Sequence, residues 1–212
     1  MSFLDPAAAP NLPLAPREYD DRYQEGVNNV LRLYFNRLSS TLSTLFGRSG
    51  GQYLQLPYGL FYDTTDQTAA STTTAYPITL NSTSLSNGVS AASDGKITVN
   101  QNGIYNVQFS AQLSNNDAAP QDVDIWFRVN GTDVADSNRR FGLGARKGVG
   151  DPSHTVGAAN QFLDLVADAY VELVWRTTDL DAQLEAYSVS ASPTRPAIPS
   201  VIVTVAFVSG VV

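Results

Sequence analysis

From Tyr105 to Leu113 the chain reads Tyr-Asn-Val-Gln-Phe-Ser-Ala-Gln-Leu, with an apolar or small residue at every second position. A period of two places one set of side chains on one face of an extended strand and the other set on the opposite face. A chain built from such segments has half-apolar sheets, and each must be covered by a second layer. The pattern recurs. Val123, Ile125, Phe127 and Val129 alternate with Asp122, Asp124, Trp126 and Arg128, and Asn130-Gly131 then predicts a tight hairpin turn. Val171, Leu173 and Trp175 alternate with Tyr170, Glu172 and Val174, and Leu184, Ala186 and Ser188 continue the series. The stretch from Ser200 to Val208, SVIVTVAFV, is apolar on both faces apart from Thr204. It therefore predicts a strand covered on both sides, one of them by a neighbouring subunit. About eight to ten short strands separated by Asn, Asp, Ser and Gly predict an all-β fold, an antiparallel sandwich or jelly roll. Asp63–Ser90 and Asn138–Asn160 break the alternation and are expected to be loops at the ends of the sandwich.

The first fifty residues obey a different rule. Pro6, Pro10, Pro13 and Pro16 predict an extended arm, in which Leu12 and Leu14 offer apolar contacts. Between residues 18 and 46, Val27, Leu31, Tyr34, Leu38, Leu42 and Leu45 fall on one face at helical spacing. Glu18, Asp20, Asp21 and Glu25 crowd its start, with Arg32 and Arg37 later, which suits a helix dipole. The stripe mixes steps of three and four without a strict heptad, so no long coiled coil is expected. Gly47, Gly50 and Gly51 predict its end. The expected organisation is therefore an arm plus one amphipathic helix over 1–50 and a strand-rich head over 51–212.

Charge narrows the function. The chain of 212 residues carries a net charge of −7 and only 16% charged residues. Residues 1–50 hold five acidic and five basic side chains, so the excess lies in the head, with fifteen acidic against eight basic. An acidic head lacks the basic footprint of a nucleic-acid binder or of a protein that lies on anionic membranes. Cysteine is absent, which removes disulfides, thiolate metal sites and cysteine nucleophiles. With no N-terminal basic-then-apolar run, the expectation is assembly in a reducing cytoplasm.

Catalytic signals are weak. The single histidine, His154, sits in GDPSHTVG, which reads as a turn, and no Gly-x-Ser-x-Gly elbow exists. The run FGLGARKGVG, Phe141–Gly150, lacks the Lys-Ser/Thr pair of a phosphate loop and reads as a basic loop with Arg139, Arg140, Arg146 and Lys147. Asp122 and Asp124 share a strand face, as glycosidase carboxylates do, but so do many solvated carboxylate pairs. No catalytic, cofactor-binding or metal-ligating set is assigned.

Two resemblances add to this reading. GIYNVQFSAQL (Gly103–Leu113) resembles the Gly-x-Tyr-x-aliphatic-x-Phe strand of the C1q/tumour necrosis factor-like jelly roll. DGKITVNQNG before it, VDIWFRVNG at Val123–Gly131, LVADAYVELVW at Leu165–Trp175 and the terminal strand extend the likeness over about residues 55–210. This resemblance implies a compact homotrimer. Tyr105, Trp126 and Tyr187, with Val201, Val203, Val205 and Phe207 of the terminal strand, would then pack between subunits. Leu12–Leu38 and Pro193–Val205 resemble segments of tailed-bacteriophage virion proteins, notably those of cyanophages. That implies a capsid decoration (cement) or head-fibre protein without cofactor, assembled in the host cytoplasm and found on the virion. Leu12, Leu14, Val27, Leu31, Tyr34, Leu38 and Leu42 would anchor it to the major capsid protein or another virion protein, and residues 1–50 would serve attachment or clamp the trimer. A receptor-binding tail-fibre head is the second expectation, and an enzyme acting on polysaccharide through Asp122 or Asp124 the third.

Overall fold

The computed structural model describes residues 8–47 and 55–210, which form two compact units divided at Gln55/Leu56. The expected boundary at 50/51, Gly50 and Gly51, and Pro6 of the arm lie outside the described residues.

The first unit holds the arm and one helix, α1 (Asp21–Leu45). Asp20 is its N-cap, with extended backbone and a carboxylate that accepts from the Arg22 N–H at 2.9 Å. This satisfies a donor that the helix itself leaves free. The arm lies back along α1. The Tyr23 hydroxyl donates to the Pro13 carbonyl at 3.3 Å, and Ala8, Ala9 and Pro10 line a groove with Val30, Leu33, Tyr34 and Arg37. No side chain of α1 is buried.

The second unit is an antiparallel jelly-roll sandwich. Its strands are β1 (Tyr58–Asp63), β2 (Tyr76–Pro77), β3 (Ser82–Asn87), β4 (Val89–Ala91), β5 (Ile97–Val99), β6 (Gly103–Asn115), β7 (Gln121–Val129) and β8 (Thr132–Asp133). They continue with β9 (Arg139–Leu143), β10 (Ser153–Leu165), β11 (Tyr170–Thr177), β12 (Ala182–Leu184), β13 (Ser190–Ala191), β14 (Thr194–Arg195) and β15 (Val201–Ser209). One sheet runs β10-β6-β15-β1-β3, with β12 also on β6. The other runs β4-β5-β11-β7-β8, with β2 on β11 and β9 on β7. Long strands close in sequence fall in opposite sheets, so the chain crosses the sandwich repeatedly, as a jelly roll requires.

The alternation fixes which residues meet. Phe61, Val203, Phe109 and Ala159 lie side by side across the first sheet. Ile125, Phe127, Val171, Leu173 and Trp175 project from the second, and together the two rows form the core. Phe109 meets Phe127 at 5.9 Å between ring centres and Phe141 at 6.3 Å. Asn130 and Gly131 have φ of 49° and 80°, so both central residues of the predicted hairpin turn are left-handed, as its tight geometry demands.

Two expected loops carry strands instead. Asp63–Ser90 contains β2 and β3 and the start of β4, and Asn138–Asn160 contains β9 and the first half of β10. In the first half of β10 the inward residues Ser153, Thr155, Gly157 and Ala159 are small, which hides the alternation. Gly157 faces inward because Leu113 and the Phe141 ring sit where its Cβ would project. His154 accordingly stands on a strand, not in a turn.

Phe109→Ala is expected to lower stability by about 3–5 kcal/mol, whereas Gln108→Ala, facing outward one residue earlier, should change it by less than about 0.5 kcal/mol. Urea denaturation at fixed protein concentration checks both.

Candidate assembly surface

The two sheets differ in the chemistry of their outer faces. The outer face of the second sheet is charged, with Asp122, Asp124, Arg128, Glu172 and Arg176 on β7 and β11. The first sheet is almost without charge. No charged residue occurs in β3, β6, β12 or β15. β1 has only Asp63, which points inward, and β10 has Asp164 and the titratable His154 near its two ends.

Strand register arranges its outer face as three rows. Tyr58, Ala206, Asn106 and Phe162 form the first, Leu60, Thr204, Gln108 and Asn160 the second, and Tyr62, Ile202, Ser110 and Ala158 the third. Tyr58 and Phe162 are 46% and 55% exposed, and Ile202 and Val156 are 37% and 55%. Asn160 donates to Asn106 at 3.3 Å across the first two rows. Nothing in the described second unit covers this face. Amides and hydroxyls leave it wettable, while tyrosines and aliphatics give it area to bury. Depletion of charge with retention of aromatics is the composition of an interface core.

The residues assigned between subunits are distributed otherwise. Tyr105, Val201, Val203 and Val205 face inward and are buried in the core of their own chain, so they cannot meet a partner. The reason is parity: on β15 the odd positions face the second sheet, leaving Ile202, Thr204, Ala206 and Val208 outside. Phe207 is half-buried because β15 shifts register near its end, and its ring packs edge-on against Tyr105 at 5.5 Å. Gly103 is the glycine this packing requires, since a Cβ there would strike the Phe207 ring. Trp126 lies on the opposite, charged sheet, where its indole N–H donates to Asp133 at 2.9 Å. Tyr187 stands near His154 at one end of the first sheet, with its hydroxyl 3.4 Å from the imidazole. Burial and the neighbouring Glu185 carboxylate push its pKa upward. The His154 Nδ1 is 3.8 Å from Glu185.

Of the arm and helix residues, Leu12 and Leu14 are exposed, and Val27, Leu31, Tyr34 and Leu38 share one half-exposed stripe. Leu42 stands to the side of that stripe, and Thr41 takes its place. No described helix is long and apolar enough to cross a membrane.

The charged sheet holds one strong electrostatic feature. Asp124 is only 3% exposed and is clamped by Arg140 at 2.8 and 3.1 Å and by Arg176 at 2.8 Å. The Arg140 hydrogen bond, aided by Arg176 and opposed by burial, holds this carboxyl below its ordinary value of 3.8. A carboxylate so held stays ionised and has no proton to give as a general acid. With Trp126, Asp133, Asp136 and Asn138, these groups line an open cleft of about 340 Å³. Among the described residues no group of three or more His, Cys, Asp or Glu is placed to hold a metal ion.

No protein-family model and no curated protein sequence matches the chain. Among solved structures, one titled "Structure of Eiger TNF from S. frugiperda" is similar, with 9% identity and a TM-score of 0.48 over 75% of this chain and 96% of that one.

Asp124→Asn leaves two guanidinium groups facing an uncharged amide, and is expected to cost about 1–3 kcal/mol because both arginines are open to water. The depressed folded-state pKa makes the sign definite. The stabilisation is complete above the ordinary carboxyl value and is lost as pH falls through the lower folded value. Denaturation midpoints measured from neutral pH to below about pH 4 should fall on acidification, with that part of the slope missing in the Asn variant.

Proposed function

We propose that this chain is a non-enzymatic structural protein of a bacteriophage virion, a homotrimeric capsid decoration (cement) or head-fibre protein. In this reading the heads assemble through the uncharged face of the first sheet, and residues 1–50 attach the trimer to the major capsid protein or another virion protein. The observation that carries it is the contrast between the two sheets. Around a closed symmetry axis, side chains near the axis meet copies of themselves, so any charge there faces its own sign. A face on which Tyr62, Ile202, Ser110 and Ala158 stand together without a charge suits such a contact. The exposed arm leucines, Leu12 and Leu14, support an attachment role, and the leader's likeness to phage virion proteins supplies the setting. The aromatic-walled cleft at Trp126 favours a second reading, a tail-fibre head that recognises the host surface. Copy number separates the two, since a decoration protein occurs at many more copies per particle than a fibre.

The 212-residue chain is expected to run as three 22.8 kDa chains, about 68 kDa, in light scattering. In the head lacking residues 1–50, Ile202→Glu brings like charges together on an outward position and should yield a folded monomer where the unsubstituted head is a trimer. A trimer that persists at low ionic strength would exclude this face as the interface.

Removing residues 1–50 should leave a folded head that no longer binds particles stripped of the native protein. Decoration by the truncated head at wild-type occupancy would overturn the anchoring role.

A further inference from the structure

The helix of the first unit carries a repeat that becomes visible once its geometry is known. The half-exposed side chains of α1 include Val27, Leu31, Tyr34, Leu38, Thr41 and Leu45. Their spacing is four, three, four, three and four, an unbroken heptad seam through most of the helix. At 100° per residue, Leu42 lies about 60° from Val27 on the flank of this seam, whereas Thr41 lies within about 40° of it.

Polar residues confirm the orientation. Arg22, Glu25, Asn29, Arg32, Asn36, Ser39 and Ser43 all fall on the side opposite the seam. The seam's two flanks differ. On one, Val30, Leu33 and Arg37, with Tyr34 at the seam's edge, form a groove with Ala8, Ala9 and Pro10 of the arm. On the other, Phe35 and Leu42 are 59% and 42% exposed, and no described part of the first unit lies over them. The apolar arc is thus wider than one covering segment can bury, and the arm occupies one side only.

We infer that α1 pairs with the α1 helices of two further copies of this chain, as a parallel, in-register three-helix bundle along the Leu31–Leu38–Leu45 seam. The inference rests on the trimeric reading of the head, because cyclic symmetry makes three equivalent helices parallel and in register wherever they meet. Charge permits this occupant. Of the flanking positions Asn28, Phe35, Leu42, Val30, Arg37 and Thr44 only the exposed Arg37 is charged, so like-charge repulsion between in-register copies is confined to one layer. Apolar flanks beyond the a and d positions widen the buried stripe, which suits more than two helices. The tyrosine at a d position, Tyr34, and the threonine at the next, Thr41, mark unequal layers that oppose a slipped register.

The absence of cysteine from the natural sequence makes the test direct. In the full-length chain, Leu31→Cys and Leu38→Cys are made singly, with Asn36→Cys on the opposite side as control. Each is oxidised mildly at micromolar concentration, and its mass is measured before oxidation. Thiols held in one layer of a bundle have effective concentrations in the millimolar range. Both seam variants should therefore give linked dimer at a yield at least about tenfold above the control, with one chain in three left unlinked because three thiols form one bond. Circular dichroism at 222 nm confirms that each variant keeps its helix, and two seam positions guard against one that does not. A trimeric mass with seam cross-linking no greater than the control would overturn the bundle while leaving the head trimer standing. That is also the result expected if a shell subunit is the true occupant of the seam. A monomeric mass would overturn both readings. Linkage of Leu38→Cys but not Leu31→Cys would indicate a slipped or antiparallel pairing and would overturn the in-register arrangement.

Discussion

The head depends on the insertion of β15 between β1 and β6. That strand pairs with β1 through Val201–Ala206 and with β6 through Val201–Ser209, so it sits at the centre of the first sheet although it ends the chain. Its inward valines, Val201, Val203 and Val205, are buried to 2% exposure or less in the core that contains Phe61, Phe109 and Phe127. Without it, β1 and β6 would present unpaired backbone edges and the core would lose one wall. The contact joins residues about 140 positions apart, from Phe61 to Val203. Closing such a loop gains nothing until both strands are in place, so the sheet forms cooperatively rather than by local steps.

Parity along this same strand separates stability from assembly. The odd residues of β15 fill the core, and the even ones, with those of β6, β10 and β1, form an uncharged outer face. The opposite sheet meets water with carboxylates and guanidinium groups tied into pairs, of which the Asp124 clamp is the most buried. One sandwich therefore offers a face suited to other chains and a face suited to solvent. The helical unit repeats this division in another geometry, with a heptad seam on one side and charged or hydroxyl residues on the other.

Much of this was legible in the sequence. The sandwich, the Asn130-Gly131 turn, the long strand β6 and the helix after an acidic start all follow from periods of two and 3.6 with the turn and cap residues at their ends. The first half of β10 was not legible, because Gly157 and Ala159 carry little apolar signal and their inward position depends on Phe141 and Leu113 from elsewhere. The interface assignment failed at Tyr105, Val201, Val203 and Val205 for a related reason. An apolar row can be read from a sequence, but which of two apolar rows faces the core depends on what lies across the sandwich. The heptad was missed because Thr41 is polar and Leu42 is not, and hydropathy selected the wrong one of two adjacent positions.

The sequence by itself determined that the chain is a strand-rich, cysteine-free, acidic head preceded by an arm and one amphipathic helix, because strand and helix periodicity, turn chemistry and charge are local properties. The closure of the first sheet by β15, the clamping of Asp124 between arginines from β9 and β11, and an outer face nearly free of charge arise only in the folded chain. Those properties belong to strands far apart in sequence, and it is their register across the sheet, not any one segment, that brings the residues together.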